Sequence, residues 1–132
     1  MIFHVSVRNR FLSEEQITVQ EIMEIHADII RNFGGASGIR DSATLEYIVY
    51  QVNRTRNILR KSAIILYGIA ADHPFIDGNK RTAFVAADNQ IRDKGYQINA
   101  TDEDVVSFML EVAKYKHTKE SVEVWLKEKT GL

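Results

Sequence analysis

The fold is decided by one apolar stretch, residues 63–71 with the sequence AIILYGIAA. A helix built from it carries apolar side chains on nearly every side, which is typical of a helix in the middle of a bundle. We predict that this central helix runs from about Leu59 to Asp72. It ends near His73, because a residue that precedes a proline is pushed out of the α region. The stretch is too short to cross a membrane.

Around the central helix, caps and helical spacing predict amphipathic helices. Thr18 begins a capping box and Gly34 ends the helix that follows it. Asp41, Thr101 and Thr118 are favourable N-caps for three further helices, and another is expected from Asn79 to Asp93. The result is an all-α bundle of about six helices around a buried central helix. The side chains expected to point inward are Ile22, Ile25, Ile29, Phe33, Leu45, Ile48, Val49, Val52, Phe84, Ala87, Ile91, Val105, Phe108, Met109, Val112, Val122, Trp125 and Leu126.

Two segments lie outside this pattern. Residues Ile2 to Val7 alternate loosely, which predicts a short strand or an arm that docks elsewhere. Residues Gln51 to Asn57 are polar and basic without periodicity, which predicts a loop.

Composition limits the class of protein. A chain of 132 residues with 45% hydrophobic residues fits one domain, residues 1–132. The net charge of −1 gives no overall attraction to nucleic acid or to an anionic membrane, so any positive site must be local. No cysteine is present, which excludes disulfides and thiolate chemistry. With no evident secretory signal, a cytoplasmic protein is expected.

Nine residues carry the chemistry: His73-Pro74-Phe75-Ile76-Asp77-Gly78-Asn79-Lys80-Arg81. They join the central helix to the next one, whose first turn offers unpaired N–H groups and the positive end of its dipole. Lys80 and Arg81 add cations to that turn, where cations are unfavourable unless an anion binds. Together with Gly78 and Asn79 they predict a site for a phosphate chain.

The remaining polar residues of the segment suggest a reaction. Asp77 is placed to hold Mg²⁺ beside bound phosphates. His73 can accept the proton of a hydroxyl near neutral pH. We therefore expect phosphoryl-type transfer from ATP or another nucleoside triphosphate. Phe75 and Ile76 are expected to anchor the turn in the core.

This segment resembles the signature of the Fic/Doc family, His-Pro-Phe-x-Asp/Glu-Gly-Asn-Gly/Lys-Arg. Lysine at the eighth place is similar to the Doc (death on curing) branch, the toxins of toxin–antitoxin pairs. The resemblance covers roughly Thr18 to the C-terminus and leaves residues 1–16 as an N-terminal extension. Further elements that support it are Ile25-His26, Phe33-Gly34-Gly35, Gly38-Ile39-Arg40-Asp41 with Leu45-Glu46, and Leu66-Tyr67-Gly68-Ile69.

The resemblance implies a Fic fold with His73 as the base, Asp77 on Mg²⁺, Gly78 and Asn79 as the anion hole and Arg81 on phosphate. Family members with glycine in place of Lys80 transfer AMP from ATP. Doc is thought to bind the nucleotide reversed and to transfer the γ-phosphate to a translation elongation factor. Lys80 thus favours phosphorylation, and AMP transfer (AMPylation) stays the alternative.

Control by a separate antitoxin protein is also expected. Many Fic enzymes carry an inhibitory helix with Ser/Thr-x-x-x-Glu followed by Gly or Asn. Ser42 and Glu46 have that spacing, but Tyr47 follows, so the segment is interpreted as a capped helix with a surface glutamate. Arg54 and Arg56 lie where the family's target-docking flap would be, or in a plain solvated loop.

Two other functions are kept beside the transferase: a nucleotide- or phosphate-binding module without turnover, and a metal-dependent phosphate hydrolase. His73 favours the transferase, because an anion binder needs no base. One carboxylate is few for a metal hydrolase. His26 is interpreted as a hydrogen-bonded core histidine, and His4 and His117 have no partners at metal-binding spacing.

Overall fold

Side-chain caps set the start of nearly every helix in this protein. The computed structural model describes residues 16–132. Thr18, Asp41, Asn57, Thr101 and Thr118 each accept a hydrogen bond from a main-chain N–H in the first turn. The helices are α1 Val19–Phe33, α2 Ser42–Asn53, α3 Ile58–Asp72, α4 Asn79–Asp93, α5 Asp102–Ala113 and α6 Lys119–Thr130. The all-α prediction is confirmed, whereas the strand expected at Ile2 to Val7 lies outside the described residues.

Helix α3 is the centre of the bundle, as its sequence predicted. Leu66, Ile69 and Ala70 have no exposed surface. Helix α4 packs along α3 most extensively, and α2, α5 and α6 pack around it. A Cβ atom on Gly68 would lie 2.8 Å from Cγ1 of Ile48, so the glycine is what lets α2 approach α3 so closely.

Three expectations about individual segments are wrong. Helix α2 continues to Asn53, so only residues 54–57 of the predicted loop connect α2 to α3. The amide of Asn53 explains this, since it accepts from the N–H of Ile17 and donates to its carbonyl, both over 2.9 Å. Phe33 is 37% exposed and Ile76 56% exposed, so neither belongs to the core. Ile76 lies in the α3–α4 junction, and the Phe33 ring lies beside Arg81 at the start of α4.

The other inward-facing residues behave as predicted. All of them are buried apart from Trp125, which is partly buried and stacks on Phe108 with the ring centroids 4.1 Å apart. Within residues 16–132, no helix has the length and apolar character needed to span a lipid bilayer.

Candidate functional site

The predicted nine-residue segment runs from the C-cap of α3 into the first turn of α4, and main-chain hydrogen bonds fix its first half. His73 ends α3 in the left-handed region, with φ of 51°. Phe75, which is 1% exposed, forms an isolated antiparallel bridge with Ile39. The carbonyl of Pro74 accepts from the N–H groups of Arg40 and Asp41 over 2.7 and 3.0 Å. The segment after α1 therefore serves as a support for the loop that follows α3.

The side chain of Asn79 shapes this loop from within. Its Oδ1 accepts from the N–H of Phe75 over 3.0 Å, and its Nδ2 donates to the carbonyl of Phe75 over 2.9 Å. The side chain is buried. An anion would therefore meet the main-chain N–H of Asn79 rather than its amide.

The N-terminus of α4 differs from those of the other described helices. Its N-cap is Gly78, with φ of 78°, and no side chain caps the first turn. The first-turn N–H groups therefore remain available to an anion. Lys80 is exposed, and the guanidinium of Arg81 lies 4.4 Å from the centroid of the Phe33 ring. Two cations at an uncapped helix start form a strongly positive centre.

Asp77 is held with its carboxylate ionised. One carboxylate oxygen accepts from the N–H of Ala36 over 3.1 Å, and the other from the N–H of Gly78 over 2.8 Å. These two bonds are the main reason that the pKa of Asp77 is lowered from 3.8. Gly35 leaves room for this carboxylate, since a Cβ atom on residue 35 would lie 2.6 Å from one of its oxygens.

The surroundings of His73 favour its neutral form. Burial of the imidazole lowers its pKa from 6.5, and the positive charges of Arg40 and Lys80 lower it further, against the opposite effect of Asp72. The imidazole is therefore unprotonated at neutral pH and can accept a proton. Lys80 at the start of α4 thus lowers the pKa of a residue at the end of α3.

A cavity of about 210 Å³ opens at the N-terminus of α4. One side is polar and carries every predicted site residue except His73, which is not part of the lining. The other side is the apolar face of α5. The lining residues are Asp77, Gly78, Asn79, Lys80, Arg81, Val106, Met109 and Leu110. This combination suits a ligand with a phosphate end and an apolar end.

The chemistry of Asp77 fits the magnesium ion expected from the sequence, and its role as a ligand stays a prediction. Magnesium is commonly bound through one or two carboxylates together with substrate phosphates and water. Asp77 supplies one exposed carboxylate on a fixed turn beside the positive centre. Within residues 16–132 no cluster of three or more metal-ligating side chains occurs.

Four residues of the site were not predicted as part of it: His26, Phe33, Gly35 and Arg40. Arg40 donates from Nε to the carbonyl of His73, and His26 is close to Asp77. All four come from α1 or the segment that follows it, far from the motif in sequence. The two glycines after Phe33 can be seen in the sequence, but the close approach of Gly35 to the Asp77 carboxylate cannot.

Comparisons with known proteins agree with this architecture. Residues 16–91 match the model of the Fic/DOC family. Toxin Doc of Mycolicibacterium smegmatis is 36% identical over an alignment of 80 residues that covers 55% of this chain and 61% of that protein. Fic-1 from C. elegans is similar in structure, with a TM-score of 0.61 and 22% identity over 86% of this chain and 44% of that chain. A variant of Fic-1 has a TM-score of 0.60 and 21% identity over 84% of this chain and 43% of that chain. The likeness to Fic-1 shows the fold, and the chain spans less than two thirds of each relative.

Proposed function

This chain belongs to the Fic/Doc family, and on that premise we propose that it transfers the γ-phosphate of ATP to a hydroxyl of a target protein. The observation that carries the proposal is the uncapped, doubly cationic start of α4 facing a cavity with an apolar wall. The N–H groups and cations suit the phosphates. Val106 and Leu110 offer apolar surface to the rest of the nucleotide.

His73 is the base in this reaction. The target hydroxyl loses its proton to the imidazole while its oxygen forms a bond to the γ-phosphorus. The bond from that phosphorus to the β-phosphate oxygen breaks, which gives a phosphorylated protein and ADP. The lowered pKa of His73 keeps the acceptor nitrogen free at neutral pH.

Asp77 is the residue that would hold Mg²⁺, and the bound ion would neutralise charge that develops on the phosphates. The chain's own part is to keep that carboxylate ionised and aimed. The N–H groups of Ala36 and Gly78 do both, because each stabilises the anionic form. Gly78, Asn79, Lys80 and Arg81 bind the phosphate chain at the start of α4.

Lys80 favours transfer of the terminal phosphate. A long cation where related enzymes have glycine obstructs one pose of the phosphate chain and attracts another. Transfer of AMP is the second candidate, because Pro74, Asp77 and Gly78 keep the form found in AMP-transferring members. A module that binds nucleotide without turnover would leave the partly buried His73, whose pKa is lowered, without a purpose.

We also propose a biological setting. The similarity to toxin Doc suggests a toxin that acts in the cytoplasm, possesses a separate antitoxin protein and modifies a protein of the translation machinery, such as an elongation factor. Glu46 lies exposed on α2 and is followed by Tyr47, which supports an antitoxin on another chain rather than an inhibitory helix within this one.

The test is a labelling experiment in bacterial lysate with ATP labelled at the α or the γ position, beside His73→Ala. We expect a labelled protein band from γ alone that His73→Ala loses, with a fall in rate of roughly 10²–10⁴. A band from α label would mean AMP transfer. Nucleotide binding without any band would mean a binding module. Asp77→Ala should lose Mg²⁺ dependence and activity together.

A further inference from the structure

His26 lies in α1, and its side chain contacts the nine-residue motif at Phe75 and Asp77. The side chain is buried, with 5% of its surface exposed. Its ring stacks on Phe75 with the centroids 3.9 Å apart and the planes 5° from parallel. Its Nε2–H donates to the main-chain carbonyl of Asp77 over 2.8 Å, which fixes the tautomer with the proton on Nε2. The stack and the bond hold two points of the loop that follows α3.

The bond to Asp77 sets the direction of one peptide group. In a trans peptide the C=O and N–H groups point in opposite directions. With the carbonyl of Asp77 held toward α1, the N–H of Gly78 must point to the other side. There it meets the carboxylate of Asp77 over 2.8 Å. His26 therefore controls whether the Gly78 N–H points to the Asp77 carboxylate.

Gly78 lies close to helix α1. A Cβ atom on this residue would lie 3.2 Å from Cδ1 of Ile30 and 3.6 Å from Nε2 of His26. With φ of 78°, the backbone adopts a conformation that favours glycine. The peptide between Asp77 and Gly78 thus lies against α1, where the His26 ring binds its carbonyl.

We propose that His26 is a positioning residue for the transfer reaction: its Nε2–H holds the Asp77–Gly78 peptide so that the Gly78 N–H donates to the Asp77 carboxylate and keeps that carboxylate in place to hold the metal. The proposal rests on the proposed function for its kinetic consequence, although the orientation of the peptide is independent of it. His26 is buried and is not part of the cavity lining, so it acts through these two residues.

Two substitutions separate the hydrogen bond from the packing. His26→Phe keeps an aromatic ring on Phe75 and removes the donor. His26→Gln removes the ring and keeps a donor, because its amide Nε2 reaches about as far as Nε2 of histidine. A packing role predicts that Phe preserves function and Gln does not. Positioning predicts the reverse.

The experiment measures kcat and KM with purified target, the Kd for ATP with Mg²⁺ and the thermal midpoint of each variant. We expect His26→Phe to lower kcat about 10²-fold, as a small misplacement of reacting groups does, with little change in the KM for the target protein. His26→Gln should recover most of kcat even if its thermal midpoint is lower. Recovery by Phe and not by Gln would overturn the proposal.

A second measurement needs neither turnover nor nucleotide. The amide ¹H–¹⁵N resonance of Gly78 reports the orientation of its peptide. It should shift strongly in His26→Phe and stay near its original position in His26→Gln. An unmoved resonance in both variants would refute the positioning role, even in a protein that modifies no target. If the resonance shifts as expected while the unaltered protein labels nothing, the positioning role stands and the proposed function fails.

Discussion

Arg40 donates from Nε to the main-chain carbonyl of His73 over 2.7 Å. The same guanidinium donates from Nη2 to the carbonyl of Asp72 over 2.6 Å. These carbonyls end α3, where a cation interacts favourably with the helix dipole. Arg40 therefore caps the central helix and, through its charge, lowers the pKa of the imidazole that begins the motif.

This relationship predicts a change in pH dependence. Arg40→Met removes a charge that lowers the pKa of His73, so that pKa should rise toward 6.5. The imidazole would then be protonated at higher pH, and the acidic limb of kcat/KM should move to higher pH. Arg40→Lys keeps the charge and should leave the limb close to its original position. An identical limb in Arg40→Met would show that the charge has no influence on the base.

The lowered pKa of His73 also predicts how stability responds to acid. The unfolded chain binds a proton on this residue at higher pH than the folded protein does. The contribution of His73 to stability is therefore present above the ordinary pKa of 6.5 and is lost as the pH falls through that value and below it. Urea unfolding of the unaltered protein and of His73→Gln across this range measures the difference.

Gly35 predicts a defect confined to the metal carboxylate. In Gly35→Ala the new Cβ atom would lie 2.6 Å from a carboxylate oxygen of Asp77 and push the carboxylate from its seat. Gly34→Ala is the matched control, since φ is also positive there and nothing lies within 4 Å of its Cβ position. Both variants should lose stability, by about 1–3 kcal/mol of backbone strain. Only Gly35→Ala should weaken the binding of ATP with Mg²⁺, as measured by calorimetry, and an equal loss in Gly34→Ala would assign the defect to strain.

Lys80 predicts which phosphate is transferred. Lys80→Gly removes the cation from the start of α4 and should weaken ATP binding about tenfold or more, which corresponds to a charge-assisted hydrogen bond of about 1.5–3 kcal/mol. It should also lower the ratio of γ to α label in the target band. Lys80→Arg should keep the ratio. A ratio that does not change in Lys80→Gly would contradict the role given to this side chain.

Gly68 predicts a loss of stability from a residue with better helix propensity. Alanine in place of a helical glycine gains about 1 kcal/mol. Here its Cβ would lie 2.8 Å from Ile48, and overpacking of this kind costs about 1–3 kcal/mol. Denaturant unfolding should therefore show Gly68→Ala to be less stable. The double variant Gly68→Ala with Ile48→Ala should lose less free energy of unfolding than the two single variants lose in sum. Simple additivity would mean that the two helices separate freely.

Local signals in the sequence were sufficient for most of the helices and for the position of the nine-residue motif at the junction of α3 and α4. The caps Thr18, Asp41, Thr101 and Thr118 satisfy main-chain donors within their own first turns, so each could be recognised from nearby residues. The central helix was recognised because it is apolar all round. His73 to Arg81 were expected at its end for the same local reasons.

Contacts between distant segments were beyond the sequence pattern. Helical spacing places Phe33 on the inner face of α1. It does not reveal that the Phe33 ring lies against the guanidinium of Arg81 rather than in the core. His26 was expected to be a satisfied core histidine, and it is, yet its acceptor lies 51 residues away. The position of the Asp77 carboxylate likewise depends on a hydrogen bond from the N–H of Ala36, and no sequence periodicity indicates such a contact.

Asn79 has a consequence for how this site can diversify. By bonding the N–H and the carbonyl of Phe75, its side chain closes the turn into a ring whose circumference is set by the number of residues between them. Insertions or deletions there would open the ring, whereas exchanges at the outward-facing Ile76 and Lys80 leave it intact. New specificities can therefore arise by replacing side chains on an unchanged frame.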